Sequence, residues 1–346
     1  MKTNQTVGQS QFLWEVCGHE KIVNYLKSSI LNRKISHAYI FAGPEHLGKH
    51  TMALKFIKTL YCQGRGDYRP CGDCPACRQV ESGTHPDIYR LKKIINEKTG
   101  KWRQEIIIDQ IRELKIQLSQ GTLLKSWKVA IIDEAETLNE NAANSLLKVL
   151  EEPTPQTVII LIVSDISRLP QTILSRSLVL NFLPVPREDI TDCLLSRGLS
   201  QDKAERISRL SLGRPGAAIN LAEDNELCLE TKKQLADFIK LLTENLAGRL
   251  KDWAGIIDWE KDEALNVIKL NQLLNNWQLA LRDIILIKNF NEVNLAELRS
   301  AKELKILRQL PWSQLLRVDW LISHSRQALT YNFTSKNILE NLVINL

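Results

Sequence analysis

No stretch of this sequence is long and apolar enough to cross a bilayer: about 20 such residues are needed, and a long aliphatic run such as Val158 to Val163 has six. Membrane-spanning helices are therefore excluded. The segment Met1 to Gln11 is polar and lacks the apolar centre of a secretory signal, so the chain is expected in the reducing cytoplasm. Aromatic residues make up only 6% of the 346, and no basic stripe interleaved with aromatics occurs. That argues against a zinc-dependent nucleic-acid binder acting alone. Glycine and proline are scarce in one region only: of 15 glycines and 11 prolines, the final 126 residues hold Gly248, Gly255 and Pro311. Two architectures are implied, a turn-rich N-terminal part and a helical C-terminal part.

The remaining composition, 44% hydrophobic and 25% charged, is that of a globular protein of two or three domains, not a collagenous, disordered or disulfide-scaffold chain. The first 220 residues carry 30 Lys+Arg against 23 Asp+Glu, and the rest 16 against 17. A surplus of that size fits a solvated surface as well as one facing nucleic acid.

Short apolar runs at Ala38 to Ala42, Val129 to Ile132, Val158 to Val163 and Leu178 to Phe182 alternate with helical stretches, which predicts a parallel α/β sheet. Helices are expected over Lys49 to Leu60 and over Glu140 to Leu150, the latter capped by Asn139 and stopped by Pro153. Two more, Asp189 to Leu199 and Lys203 to Leu210, form a small appended unit closed by Gly213-Arg214-Pro215-Gly216. Beyond it Leu270, Leu273, Leu274, Trp277, Leu281, Ile284 and Ile285 recur at helical spacing, as a core or an interface does.

Gly43-Pro44-Glu45-His46-Leu47-Gly48-Lys49 fits GxxxxGK between a strand and a helix, where backbone N–H groups can cradle phosphates and Lys49 can reach the β and γ phosphates. The next residue should be Ser or Thr, to ligate Mg²⁺, and is His50. Thr51 comes one position late, rotated by about 100° on a helix. Weak ATP/Mg²⁺ binding and a degenerate loop kept for its fold both remain open. The second strand runs into Asp133-Glu134-Ala135-Glu136, where Asp133 would hold Mg²⁺ and Glu134 would polarise water.

Cys62, Cys71, Cys74 and Cys77 lie within sixteen residues, among Pro70, Gly72 and Pro75. Cysteines two apart are poor disulfide partners, and four thiolates fill a tetrahedral Zn²⁺, so a structural zinc site is expected. Cys17, Cys193 and Cys228 are scattered and read as buried small hydrophobes.

The phosphate loop, the four-cysteine insertion, Thr84-His85-Pro86-Asp87, the acidic box, Asn144-Ser145-Leu146-Leu147-Lys148-Val149-Leu150-Glu151-Glu152-Pro153 and Thr172-Ile173-Leu174-Ser175-Arg176-Ser177 together resemble the bacterial DNA polymerase III clamp-loader subunits, a family of AAA+ proteins. The match spans most of residues 10 to 220. His85-Pro86-Asp87 after the cysteines and the overall length are closer to delta-prime than to gamma/tau. The resemblance implies an α/β AAA+ P-loop module with a zinc-binding insertion (1–183, cysteine module 62–77), a small helical lid domain (184–222) and an all-α C-terminal collar domain (223–346). It also implies partners: gamma/tau and delta subunits, with the sliding clamp and primed DNA reached through the complex.

By motif match Arg176 occupies the arginine-finger position, acting on a neighbouring subunit's ATP. Ser164 matches a γ-phosphate sensor, and Val16, in Trp14 to Glu20, a contact of the adenine pocket. Gly216 stands where the second sensor's Arg belongs, with Arg214 two residues early. The resemblance therefore implies a largely non-hydrolysing scaffold that contributes processivity to the polymerase assembly and no polymerase chemistry. The alternative is a gamma/tau-like subunit that binds and hydrolyses ATP itself.

Overall fold

The computed structural model describes residues 11–12, 14–64, 68–94, 105–120, 127–290, 301–331 and 333–346. The polar N-terminal segment read above lies, up to residue 10, outside them. In chain order come β1 (Gln11–Phe12), α1 (Glu20–Leu31), β2 (Ala38–Ala42), α2 (Lys49–Tyr61), β3 (Tyr68–Arg69), α3 (Pro75–Ser82), β4 (Ile88–Leu91), α4 (Ile108–Ser119), β5 (Lys128–Ile132), α5 (Glu140–Glu151), β6 (Thr157–Val163), α6 (Gln171–Leu174) and β7 (Leu178–Asn181). Five strands form one parallel sheet in the order β4-β5-β6-β2-β7, while β1 and β3 make a separate two-residue pairing.

Apart from Lys128 and Thr157 at the starts of β5 and β6, the central strands are continuous apolar runs because helices cover both faces. Ala38, Ile40, Ala130, Ile132, Ile159 and Leu161 pack with Ile111 and Leu114 of α4 and Leu146 of α5. The alternate residues Tyr39, Phe41, Val129, Ile131, Val158 and Ile160 pack with Leu26 of α1 and Met52, Phe56 and Ile57 of α2. Each fully buried side chain of this size contributes about 1.5–3 kcal/mol. The Asn139 cap of α5 is present, its side chain accepting from Ala142 N–H at 2.9 Å.

The fifth strand, β4, has no counterpart among the runs picked out above. It is an edge strand of four residues, Ile88-Tyr89-Arg90-Leu91, with a cation in its middle, too short and too polar to stand out. The first sheet strand, β2, lies between two later ones, so the loop leaving it sits at the topological switch point, where ligands of such sheets gather.

The remaining helices are α7 (Arg187–Ser196), α8 (Gln201–Leu210), α9 (Pro215–Glu223), α10 (Asn225–Thr243), α11 (Leu246–Asp252), α12 (Glu263–Phe290), α13 (Ala301–Gln309), α14 (Trp312–Thr330) and α15 (Ser335–Asn345). The chain divides into two compact units, Met1–Ile190 with Arg214–Ala217, and Thr191–Gly213 with Ala218–Leu346. In the second, Leu270, Leu273, Leu274, Trp277, Leu281 and Ile284 are buried core, and Ile285 is half-buried. Trp277 stacks on Phe238 at 5.1 Å and donates its indole N–H to Gln234 O at 3.2 Å. Among the described residues no helix is long and apolar enough to cross a membrane.

Candidate functional site

The phosphate loop begins where β2 ends. Gly43 donates its N–H to Val163 O at 3.1 Å and has φ 143°, and a Cβ on it would lie 2.2 Å from Phe182 O. Only glycine fits there. His46 and Gly48 also have positive φ, and Gly48 caps α2 without a side-chain bond. Leu47 is buried beneath the loop, its carbonyl accepting from His19 Nε2 at 2.9 Å.

Lys49 is 6% exposed, and its ammonium donates to Gly43 O and, at 2.7 Å, to Pro44 O. Burial pulls its pKa down to about 8 against the favourable charges of Glu136 and Glu45. The lysine therefore rests on carbonyls of its own loop. His46 O accepts the N–H of Gly216 at 2.8 Å, and a Cβ at 216 would stand 2.9 Å from that oxygen. The close backbone approach is the physical reason for glycine where a sensing arginine was sought. Arg214 is buried, and its charge, after burial itself, lowers the pKa of His46.

The acidic box follows β5. Asp133 is half-buried, and burial raises its pKa while the charges of His50, Arg90 and Lys92 oppose the rise. Glu134, at φ 50°, pairs with Lys93 at 2.5 Å. Glu136 accepts the Ser164 N–H at 2.9 Å through Oε1, while its Oε2 is buried with no hydrogen-bond partner. Gly43, Gly48, Lys49, Asp133, Glu134 and Ser164 thus follow the carboxyl ends of β2, β5 and β6, with His50 beside Asp133. Thr51 is exposed on α2, and Val16 is half-buried against the packed face that includes Trp14 and Phe182.

Arg176 follows α6. Its Nη1 donates to Thr172 O at 3.1 Å and to Ser175 Oγ at 3.2 Å, and its Nη2 lies 2.8 Å from Glu151 Oε1. Residues that the sequence reading assigned no role, namely Glu136, Lys93 and Glu151, complete these arrangements. The signals for two of them were legible: Glu136 belongs to the acidic box, and Glu151 is an acid at a helix C-terminus.

The four cysteines do converge. Their sulfurs lie within 4.8 Å of one another, with Cys71 and Cys77 at 4.0 Å. A tetrahedron with Zn–S bonds of about 2.3 Å needs S···S separations near 3.8 Å, so the group fits a zinc ion. Backbone N–H groups of Cys71, Cys74 and Cys77 donate to the sulfurs of Cys62, Cys71 and Cys74 at 3.3, 3.4 and 3.4 Å. Burial works against ionising Cys74, but these amide and thiol donors bring it to about 6, whereas burial and its thiol neighbours push Cys77 up. A cation among them resolves that conflict. Cys62 caps the C-terminus of α2 and Cys74 the N-terminus of α3, so the cluster ties the phosphate-loop helix to the insertion. Of the scattered cysteines, Cys17 is buried, as expected of a small hydrophobe, whereas Cys193 is half-buried, and neither is a free thiol. Cys228 is free and half-buried.

A family model described as DNA polymerase III, delta subunit, matches residues 18–186. The delta-prime subunit of DNA polymerase III from Pseudomonas aeruginosa is 33% identical over 260 residues, covering 72% of this chain and 76% of that protein. The chain belongs to the DNA polymerase III delta-prime family. The delta-prime subunit of Bacillus subtilis is 29% identical over 335 residues, covering 94% of this chain and 95% of its own. The tau subunit of the same organism is 33% identical over 162 residues, 47% of this chain and 27% of that protein, so the chain is also related to the gamma/tau subunits over about half its length.

Proposed function

We propose that this delta-prime family member is a non-hydrolysing scaffold of the DNA polymerase III clamp loader. It takes its place among gamma/tau and delta subunits, lends Arg176 to a neighbour's ATP site and helps load the sliding clamp onto primed DNA. Residues 1–183 serve as the AAA+ module, 184–222 as the lid and 223–346 as the collar.

The observation that carries this reading is that Lys49 and Glu134 of the chain's own phosphate site have partners within the chain, while a histidine and a glycine stand where Mg²⁺-binding and sensing side chains belong. Lys49 is held by Gly43 O and Pro44 O, Glu134 by Lys93, and the loop carbonyl of His46 by the amide of Gly216. His50 stands where a Mg²⁺-ligating hydroxyl belongs, and the charge opposite Asp133 comes from His50, Arg90 and Lys92. These residues do not fit a Mg²⁺-bound nucleotide poised for hydrolysis, and no hydrolytic step is assigned to Asp133, Glu134 or Ser164. The four cysteines fit Zn²⁺, which would be structural because all four positions are protein thiolates.

Arg176→Ala in the reconstituted assembly tests the reading. Folding of the chain should be unchanged and ATP turnover should fall, by as much as about 10³-fold at the neighbouring site. An unchanged rate contradicts the finger assignment.

A further inference from the structure

Helix α5 ends against the local rules. A helix C-terminus carries partial negative charge and favours cations; α5 has Lys148 in its last turn, yet closes on Glu151 and Glu152. An acid at the very end of a helix runs against the local preference and directs attention to its own contact. Glu151 has one: its Oε1 holds Nη2 of Arg176 at 2.8 Å, twenty-five positions along the chain.

The guanidinium is held from two sides. Nη1 donates to Thr172 O and Ser175 Oγ, both on the turn that carries Arg176, while Nη2 is fixed by the end of α5. A planar fork bound at two of its nitrogens to two different elements has its plane set. The two side chains keep 37% and 48% of their surface exposed, so the pair adds little to the fold and its effect lies in orientation.

We propose that Glu151 is the positioning residue for Arg176, its carboxylate fixing where the guanidinium lies before it meets a phosphate of the neighbouring subunit. This rests on the finger reading above. The test is a double-mutant cycle in the reconstituted assembly, with the finger-dependent rate defined as the part of ATP turnover that Arg176→Ala removes. Glu151→Gln should lower the kcat of that part about 2- to 5-fold, the range an exposed ion pair can supply, and should have no effect once Arg176 is Ala. Glu151→Asp, which keeps the charge, should restore part of the rate. A full finger-dependent rate in Glu151→Gln, or an equal loss with and without Arg176, overturns the positioning role and leaves the finger standing. No loss from Arg176→Ala itself overturns the finger, and the positioning role with it.

Discussion

The cysteine cluster and the phosphate loop are joined by one helix, α2, which starts at Lys49 and ends beside Cys62, yet they have opposite chemical outcomes. In the cluster four sulfurs converge at the spacing of a metal site. In the loop the converging groups are bonded to one another, Lys49 to loop carbonyls and the His46 carbonyl to Gly216. Both places carry a recognisable motif, but they differ in what their side chains meet within the chain.

The largest effect that would sharpen this contrast is metal removal. Reduced protein should carry about one zinc per chain, and chelation or Cys77→Ser should loosen residues 62–77, read by limited proteolysis, because structural zinc binding contributes to folding directly. Metal analysis that finds no zinc breaks the comparison at its stronger end.

A smaller effect tests the loop as architecture. Gly43→Ala forces a Cβ within 2.2 Å of Phe182 O at φ 143°, whereas Gly48→Ala at φ 86° meets nothing within 4 Å. Denaturant unfolding should show a loss of about 1–3 kcal/mol or more for the first and about 1 kcal/mol for the second. Equal losses would mean that the packing under the loop does not matter.

The smallest effect is a pH dependence. Lys49 titrates near 8 in the folded chain against an ordinary 10.5. Between those values the unfolded chain holds a proton that the folded chain has released, so stability rises with pH there, and the penalty of the buried cation is fully present below about 8. Lys49→Met should remove this contribution to the slope. An identical slope in the variant would show that Lys49 is not buried as a cation.

Much of the fold was legible because the central strands are short, apolar and bounded by turn residues: Ala38–Ala42 appears at the expected limits, and β5, β6 and β7 lie within one residue of theirs. The edge strand β4 escaped because its outward positions are solvated and need no apolar residue. The cysteine site was legible because metal ligation demands a ligand type at close spacing. The state of the phosphate loop was only half legible. His50 and Gly216 mark departures in the sequence, but the Lys93–Glu134 pair and the Gly216–His46 bond are long-range contacts that no local pattern encodes.

The most direct test of the central claim is steady-state ATP turnover of the purified chain with Mg²⁺ and primed DNA, beside Lys49→Ala as the control for contaminating activity. A rate equal to the control is expected of a subunit that acts on a neighbour's nucleotide through Arg176. A rate above it would make the chain a gamma/tau-like motor, with His50 tolerated at the magnesium position, and would contradict the scaffold reading.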